Sequence, residues 1–124
     1  MILRILLVED EGVISVPMQI VLESQNYKVD VACNGKEALD FCAKKTYDVI
    51  LLDIMMPVMD GVEFLRKANL RELAPKTKII VLSNLAMGGE INEAMELGAD
   101  KSLLKSSITP GSLLALINQQ IALF

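Results

Sequence analysis

Apolar residues fall in short continuous runs along this chain, separated by stretches in which they recur at helical spacing. Ile2 to Val8 is apolar except at Arg4, as in a strand covered on both faces. Val13, Val16, Pro17, Ile20 and Val21 then fall at i, i+3, i+4, i+7 and i+8, one stripe of a helix and the kind a core covers. Pro17 breaks a local rule there, since inside a helix it deletes a backbone bond and bends the axis; the alternative is a helix that starts late, with Pro17 in its first turn. Lys28 to Ala32 alternates, which suits an edge strand with one wet face. After Asn34-Gly35 a helix turns Ala38, Leu39 and Cys42 inward. Val49-Ile50-Leu51-Leu52 is the second buried run and ends at Asp53.

A loop with Pro57 and Asp60-Gly61 leads to a helix carrying Val62, Leu65 and Ala68. Ile79 to Leu82 is the third buried run, ending at Ser83-Asn84. Ile91, Ala94 and Met95 mark a short helix that Gly98 closes as a C-terminal cap. Leu103-Leu104 is a short strand before Lys105. Ser112 to Phe124 is the last helix, with Leu113, Leu116, Ile117 and Ile121 on one face. Five strands alternating with five helices through short connections predict a parallel sheet with helices on both faces. A flavodoxin-like order, 2-1-3-4-5, sets the alternating strand and the shortest strand at the edges, and the pattern agrees with it.

The whole chain, residues 1 to 124, reads as one domain without repeats or linkers. No apolar run reaches membrane-span length, and the first residues are too short and wrongly ordered for a signal peptide, so a soluble cytoplasmic protein is expected. Twelve basic residues against sixteen acidic, net −4, argue against a surface built for nucleic acid. With no histidine there is no Ser-His-Asp triad, no imidazole base and no ordinary zinc site. Cys33 and Cys42 read as reduced, small apolar residues.

Ligands of open α/β sheets bind beyond the carboxyl ends of the strands. Those ends carry Glu9 and Asp10, Asp53, Ser83 and Lys105, on four neighbouring strands. Each has an ordinary reading alone: Asp10 as a helix cap, Glu9 as a solvated charge, Asp53 as a turn residue. Together they place three carboxylates in one cleft, where repulsion calls for a hard cation such as Mg²⁺.

LLVEDE at 6 to 11, VILLDIMMPVMDG at 49 to 61, IIVLSN at 79 to 84 and ELGADKSLLK at 96 to 105 resemble a response-regulator receiver domain, the phospho-accepting module of two-component signalling, over essentially the whole chain. The resemblance implies that Asp53 takes a phosphoryl group from a phosphohistidine on a sensor histidine kinase or phosphotransfer protein. Asp10, Asp53 and the Met55 backbone carbonyl would hold Mg²⁺, with Glu9 acting through a water. Lys105 would pair with Asp53 and then with the phosphoryl oxygens, and Ser83 would swing its hydroxyl onto them. The switch would act on a downstream protein or fused effector, without touching nucleic acid itself, and a homodimer would use the face of the fourth helix, fifth strand and fifth helix, with Leu114 joining. Such a domain modifies itself and is not an enzyme turning over a substrate.

Two departures stand out: Ser102 where the family usually carries Tyr or Phe as a rotamer switch, and Ser106 where it usually has a proline in a cis peptide. The loop at Ser106 is therefore strained or trans. Met55 and Leu85 occupy positions where family side chains influence the hydrolysing water; both are apolar, so a long-lived phosphoaspartate is expected. The rival readings are a pseudo-receiver that binds without being phosphorylated, a flavin- or cobalamin-binding module, and an aspartyl phosphatase. The first is disfavoured by the complete acidic set. The second lacks a phosphate loop or a histidine ligand, and the third lacks a second Asp two residues after Asp53.

Overall fold

A computed structural model describes residues 2–84 and 88–122. Its strands are β1 (Arg4–Val8), β2 (Lys28–Ala32), β3 (Val49–Asp53), β4 (Lys78–Ser83) and β5 (Lys101–Leu104). They form one parallel sheet of order β2-β1-β3-β4-β5, as the run pattern predicts. The helices are α1 (Gly12–Glu23), α2 (Gly35–Lys44), α3 (Gly61–Ala68), α4 (Leu70–Leu73), α5 (Gly89–Glu96) and α6 (Pro110–Ile121). The sixth helix, one more than the sequence predicts, is the single turn α4, split from α3 by Asn69 in the left-handed region at φ 49°. The last helix starts at Pro110, two residues earlier than expected. Thr109 caps it through a hydrogen bond from the Ser112 amide at 3.0 Å, and Pro110 fills the first turn, where no amide is needed.

Alternate residues of the central strands feed two cores. Leu6, Val8, Ile50, Leu52 and Val81 pack against α2, α3 and α5 through Ala38, Phe64, Leu65 and Ala94. Ile5, Leu7, Leu51, Ile80 and Leu82 pack against α1 and α6 through Met18, Leu22, Leu113 and Ile117. Every residue of β3 is buried, which is why its sequence is an unbroken aliphatic run until the site begins. Gly98, at φ 118°, closes α5 as expected, with the Ala99 amide donating to the Ala94 carbonyl at 3.1 Å.

Helix α1 departs from its predicted orientation. Ser15, Met18 and Leu22 face the core, while Val13, Val16 and Ile20 are exposed by 82%, 54% and 65%. The helix does begin at Gly12, so Pro17 lies well inside it and the late-start alternative falls. Pro17 supplies the reason for the orientation: it cannot donate to the Val13 carbonyl, and that carbonyl must then reach water. Pro17 and Val13 therefore belong on the wet side. Cys42 packs against the core edge as expected, but Cys33 is exposed, at the last step of the chain into α2.

Candidate functional site

Short connections bring the polar strand ends together. Val8 pairs in register with Leu52 and Asp53 with Leu82, so Glu9 and Asp53 leave neighbouring strands at one level. Ser83 pairs with Leu104, immediately before Lys105. Asp53 and Ser83 are buried, and so is Glu9, which rules out its reading as a solvated charge. Asp10 is exposed. It does not cap α1, whose N-cap is Glu11 with no side-chain cap bond, so its carboxylate is not spent on the helix.

Lys105 ties the cluster together. Its ammonium lies 2.8 Å from Asp53 Oδ2, and 3.3 Å and 3.1 Å from the two oxygens of Glu9. The direct Glu9–Lys105 pair was not expected from the sequence, which shows both strand ends but not the reach of the lysine stem. Asp53 Oδ1 accepts from the Met55 amide at 3.2 Å and Glu9 Oε1 from the Glu11 amide at 3.2 Å. The Asp53 bond makes an Asx turn, so its ordinary turn reading and its place in the site hold together.

Burial, and then the neighbouring Asp53, push the Glu9 carboxyl up to about 7 against the pull of Lys105. Burial also raises the Asp53 carboxyl, while Lys105 and the Met55 amide oppose it. For Lys105 burial works downward, but bonds to Asp53 and Glu9 prevail and hold its pKa above the ordinary lysine value. One ammonium is thus shared between two buried carboxylates, with a third carboxylate beside them. One carboxylate oxygen from each of Glu9, Asp10 and Asp53 lies within 4.8 Å of the other two. Glu9 Oε2 is buried and aligned for no hydrogen bond, although the ammonium is near. An all-oxygen donor set in which one buried carboxylate oxygen accepts no aligned hydrogen bond fits a hard divalent ion such as Mg²⁺.

The loop from β3 to α3 frames this cleft and is tightly tied. The Gly61 amide donates to the Ile54 carbonyl at 2.8 Å, and the Gly35 amide to the Met59 carbonyl at 2.9 Å. Asp60 caps α3 by accepting from the Glu63 amide at 2.8 Å. Met55, in this loop, has an exposed side chain. No peptide bond among the described residues is cis, so the bond from Lys105 to Ser106 is trans and opens a short 3-10 turn, Lys105–Ser107. Ser102 is exposed on β5. Leu85 and Phe124 lie outside the described residues. A surface cavity of about 520 Å³ lined by Tyr47, Ala74 and Pro75 lies at the amino ends of β3 and β4, away from the carboxylates. No helix among the described residues is long and apolar enough to cross a membrane.

The chain is similar to proteins of known sequence and structure over nearly its whole length. The transcriptional regulatory protein ResD of Bacillus subtilis is 39% identical over 104 residues, which are 82% of this chain and 41% of that protein. The chain thus spans about half, or less, of the length of the curated relatives it matches. A CheY-like response regulator receiver domain protein from Methanospirillum hungatei superimposes with a TM-score of 0.90 at 30% identity, covering 98% of this chain and 95% of that one. The receiver domain of the sensor histidine kinase PA1611 from Pseudomonas aeruginosa, solved with a magnesium ion in its active-site cleft, gives 0.86 at 28%, covering 98% and 99%. Residues 5–118 match the family described as the response regulator receiver domain, and the chain belongs to that family.

Proposed function

We propose that this domain is a phosphorylation switch in which Asp53 accepts a phosphoryl group from a phosphohistidine. An Asp53 oxygen attacks phosphorus, the P–N bond breaks, and the imidazole nitrogen leaves with its electron pair, to be protonated from solvent. The supporting observation is the Lys105 ammonium, 2.8 Å from the Asp53 oxygen and also paired with Glu9 at 3.1 Å. That ammonium neutralises Asp53 in the resting state and moves to a phosphoryl oxygen when the acyl phosphate forms. Glu9, Asp10, Asp53 and the Met55 carbonyl would hold Mg²⁺, which supplies neutralisation of the equatorial phosphoryl oxygens when bound. Ser83, at the end of β4 and paired with Leu104 at the end of β5, donates its hydroxyl to the modified group and passes the change to the chain beyond it.

The donor is a sensor histidine kinase or a histidine phosphotransfer protein, and the receiver of the signal a downstream protein or an effector on the same polypeptide. The reading of a domain that binds without being phosphorylated fits less well, because no member of the acidic set, the lysine or the hydroxyl is missing. Intact mass after incubation with Mg²⁺ and acetyl phosphate tests the proposal. A gain of about 80 Da, absent in Asp53→Ala, supports it. No gain from acetyl phosphate or from a phosphorylated histidine phosphotransfer protein overturns it.

A further inference from the structure

The two ends of the sheet carry opposite charge. The carboxyl end holds Glu9, Asp10, Asp53 and Asp60, whereas four of the five strands begin with a cation: Arg4, Lys28, Lys78 and Lys101. Lys44 and Lys45 at the end of α2 and Lys76 before β4 join them. Arg4 and Lys28 stand opposite one another in the β1–β2 register, where like charges repel. Among the described residues only Lys45 of these seven is in an ion pair, with Asp30. The carboxylates of Asp48 and Asp100 on this end are tied to main chain instead, accepting from the Arg4 and Ile79 amides at 2.8 Å each. In a chain of net charge −4, so many unpaired cations at one end make a local field of the opposite sign.

The cavity of about 520 Å³ at the amino ends of β3 and β4 opens on this end, and Lys76 lines it beside Ala74 and Pro75. A smaller cavity of about 100 Å³ shares Tyr47 and Ala74 with it and adds Cys42, Leu70 and Lys45. A cavity of roughly 150 Å³ holds a benzene ring, so the smaller one suits a branched aliphatic side chain. Leu73 lines it and is still 76% exposed. A recess with apolar walls and a cationic rim matches an apolar side chain flanked by carboxylates. Nucleic acid fits less well, because single strands stack on exposed aromatic faces and Tyr47 is buried. A membrane surface fits less well too, because it takes up a protruding apolar face and not a recess.

We propose that this recess docks an extended acidic segment of a partner protein. One aliphatic side chain of the segment enters beside Leu73, and its neighbouring carboxylates meet Lys76 and Lys45. The surface lies at the end of the sheet opposite Asp53, so docking does not depend on phosphorylation. The probe is the acetylated, amidated hexapeptide Glu-Asp-Leu-Leu-Asp-Glu, titrated into the full chain while amide resonances are followed. Shifts should map to residues 46–48 and 73–77 and saturate with a Kd on the order of 1 mM at low salt, the range of a short peptide that must be ordered on binding. Raising salt to about 0.3 M should weaken binding roughly threefold or more. Leu73→Asp and Lys76→Glu, both at exposed positions, should each weaken it about threefold or more. Lys36→Glu, the same charge change in the first turn of α2 at the carboxyl end, should leave it unchanged. Peptides with lysines for the acidic residues, or serines for the leucines, should not bind. No shifts at about 10 mM hexapeptide, equal binding of either control peptide, or insensitivity to Lys76→Glu overturns the proposal. A short oligothymidylate or phosphatidylglycerol vesicles perturbing the same residues more strongly than the peptide overturns it equally, and assigns this end to nucleic acid or to a membrane.

Discussion

Gly61→Ala tests how tightly the site loop is bound to β3. A Cβ on Gly61 would stand 2.5 Å from the Asp53 carbonyl oxygen, 2.9 Å from Ile54 Cα and 3.2 Å from the Asp53 carbonyl carbon. All three are backbone atoms, so no side chain can swing away. Relief requires the start of α3 and the end of β3 to part by roughly 0.5–1 Å to restore ordinary contact. Overpacking of this kind costs about 1–3 kcal/mol. The same movement stretches the 2.8 Å bond from the Gly61 amide to the Ile54 carbonyl, a further loss of about 1 kcal/mol. Alanine's better helix propensity offsets at most about 0.5–1 kcal/mol. The net expectation is about 2–3 kcal/mol of destabilisation, or roughly 8–12 °C in Tm for a domain of this size. Urea unfolding followed by circular dichroism measures it. Gly111→Ala in α6 is the control, because a Cβ there meets nothing within 4 Å. It should leave stability unchanged or raise it by about 0.5 kcal/mol. A Gly61→Ala midpoint indistinguishable from wild type, or equal shifts in the two variants, would show that the loop yields freely and refute the reasoning.

Val58 sits at φ 72° in a three-residue turn closed by the Met59 amide on the Pro57 carbonyl at 2.8 Å, a conformation that a β-branched residue resists. Val58→Gly should therefore stabilise by about 1 kcal/mol, strain relief outweighing added chain entropy, and a lower urea midpoint would sink this account. The Tyr47 hydroxyl donates to Asp30 Oδ2 at 2.6 Å, and this bond is the main reason the Asp30 carboxyl is held below its ordinary value. Tyr47→Phe should cost about 1–2 kcal/mol at pH 7. Because the folded-state pKa of Asp30 is depressed, that stabilisation is present above the ordinary value of 3.8 and fades as pH falls below it. Urea midpoints at pH 7 and pH 3 that differ equally between the two proteins would contradict it. If phosphorylation proceeds as proposed, the exposed apolar Met55 leaves the hydrolysing water unplaced, so Met55→Asn should shorten the phosphoaspartate lifetime severalfold; unchanged first-order loss of the 80 Da adduct would refute that.

What could be read from the sequence, and what could not, follows the strength of the underlying physics. The unbroken runs of β1, β3 and β4 identify central parallel strands because nothing else tolerates aliphatic residues on both faces, and the alternation of β2 marks an edge. The polar strand ends marked the candidate residues that the fold brings together, since topology alone delivers them to one rim. The Glu9–Lys105 pair was hidden because it depends on side-chain reach across strands that are 96 residues apart in the chain. Asn69 shows a different limit: a left-handed turn splits α3 from α4 without interrupting the helical pattern enough to be noticed.

Helix α1 is the most instructive failure. Periodicity selects a face only when the other side is polar, and α1 carries two apolar stripes at the same spacing. Counting apolar residues favours the stripe containing Val13 and Pro17, whereas the inward one includes Ser15. The deciding signal is the proline, because a helix that loses the bond to the Val13 carbonyl must turn that carbonyl toward water or leave it orphaned. Followed through, that argument turns the core-facing stripe to Ser15, Met18 and Leu22 and leaves Val16 and Ile20 in solvent.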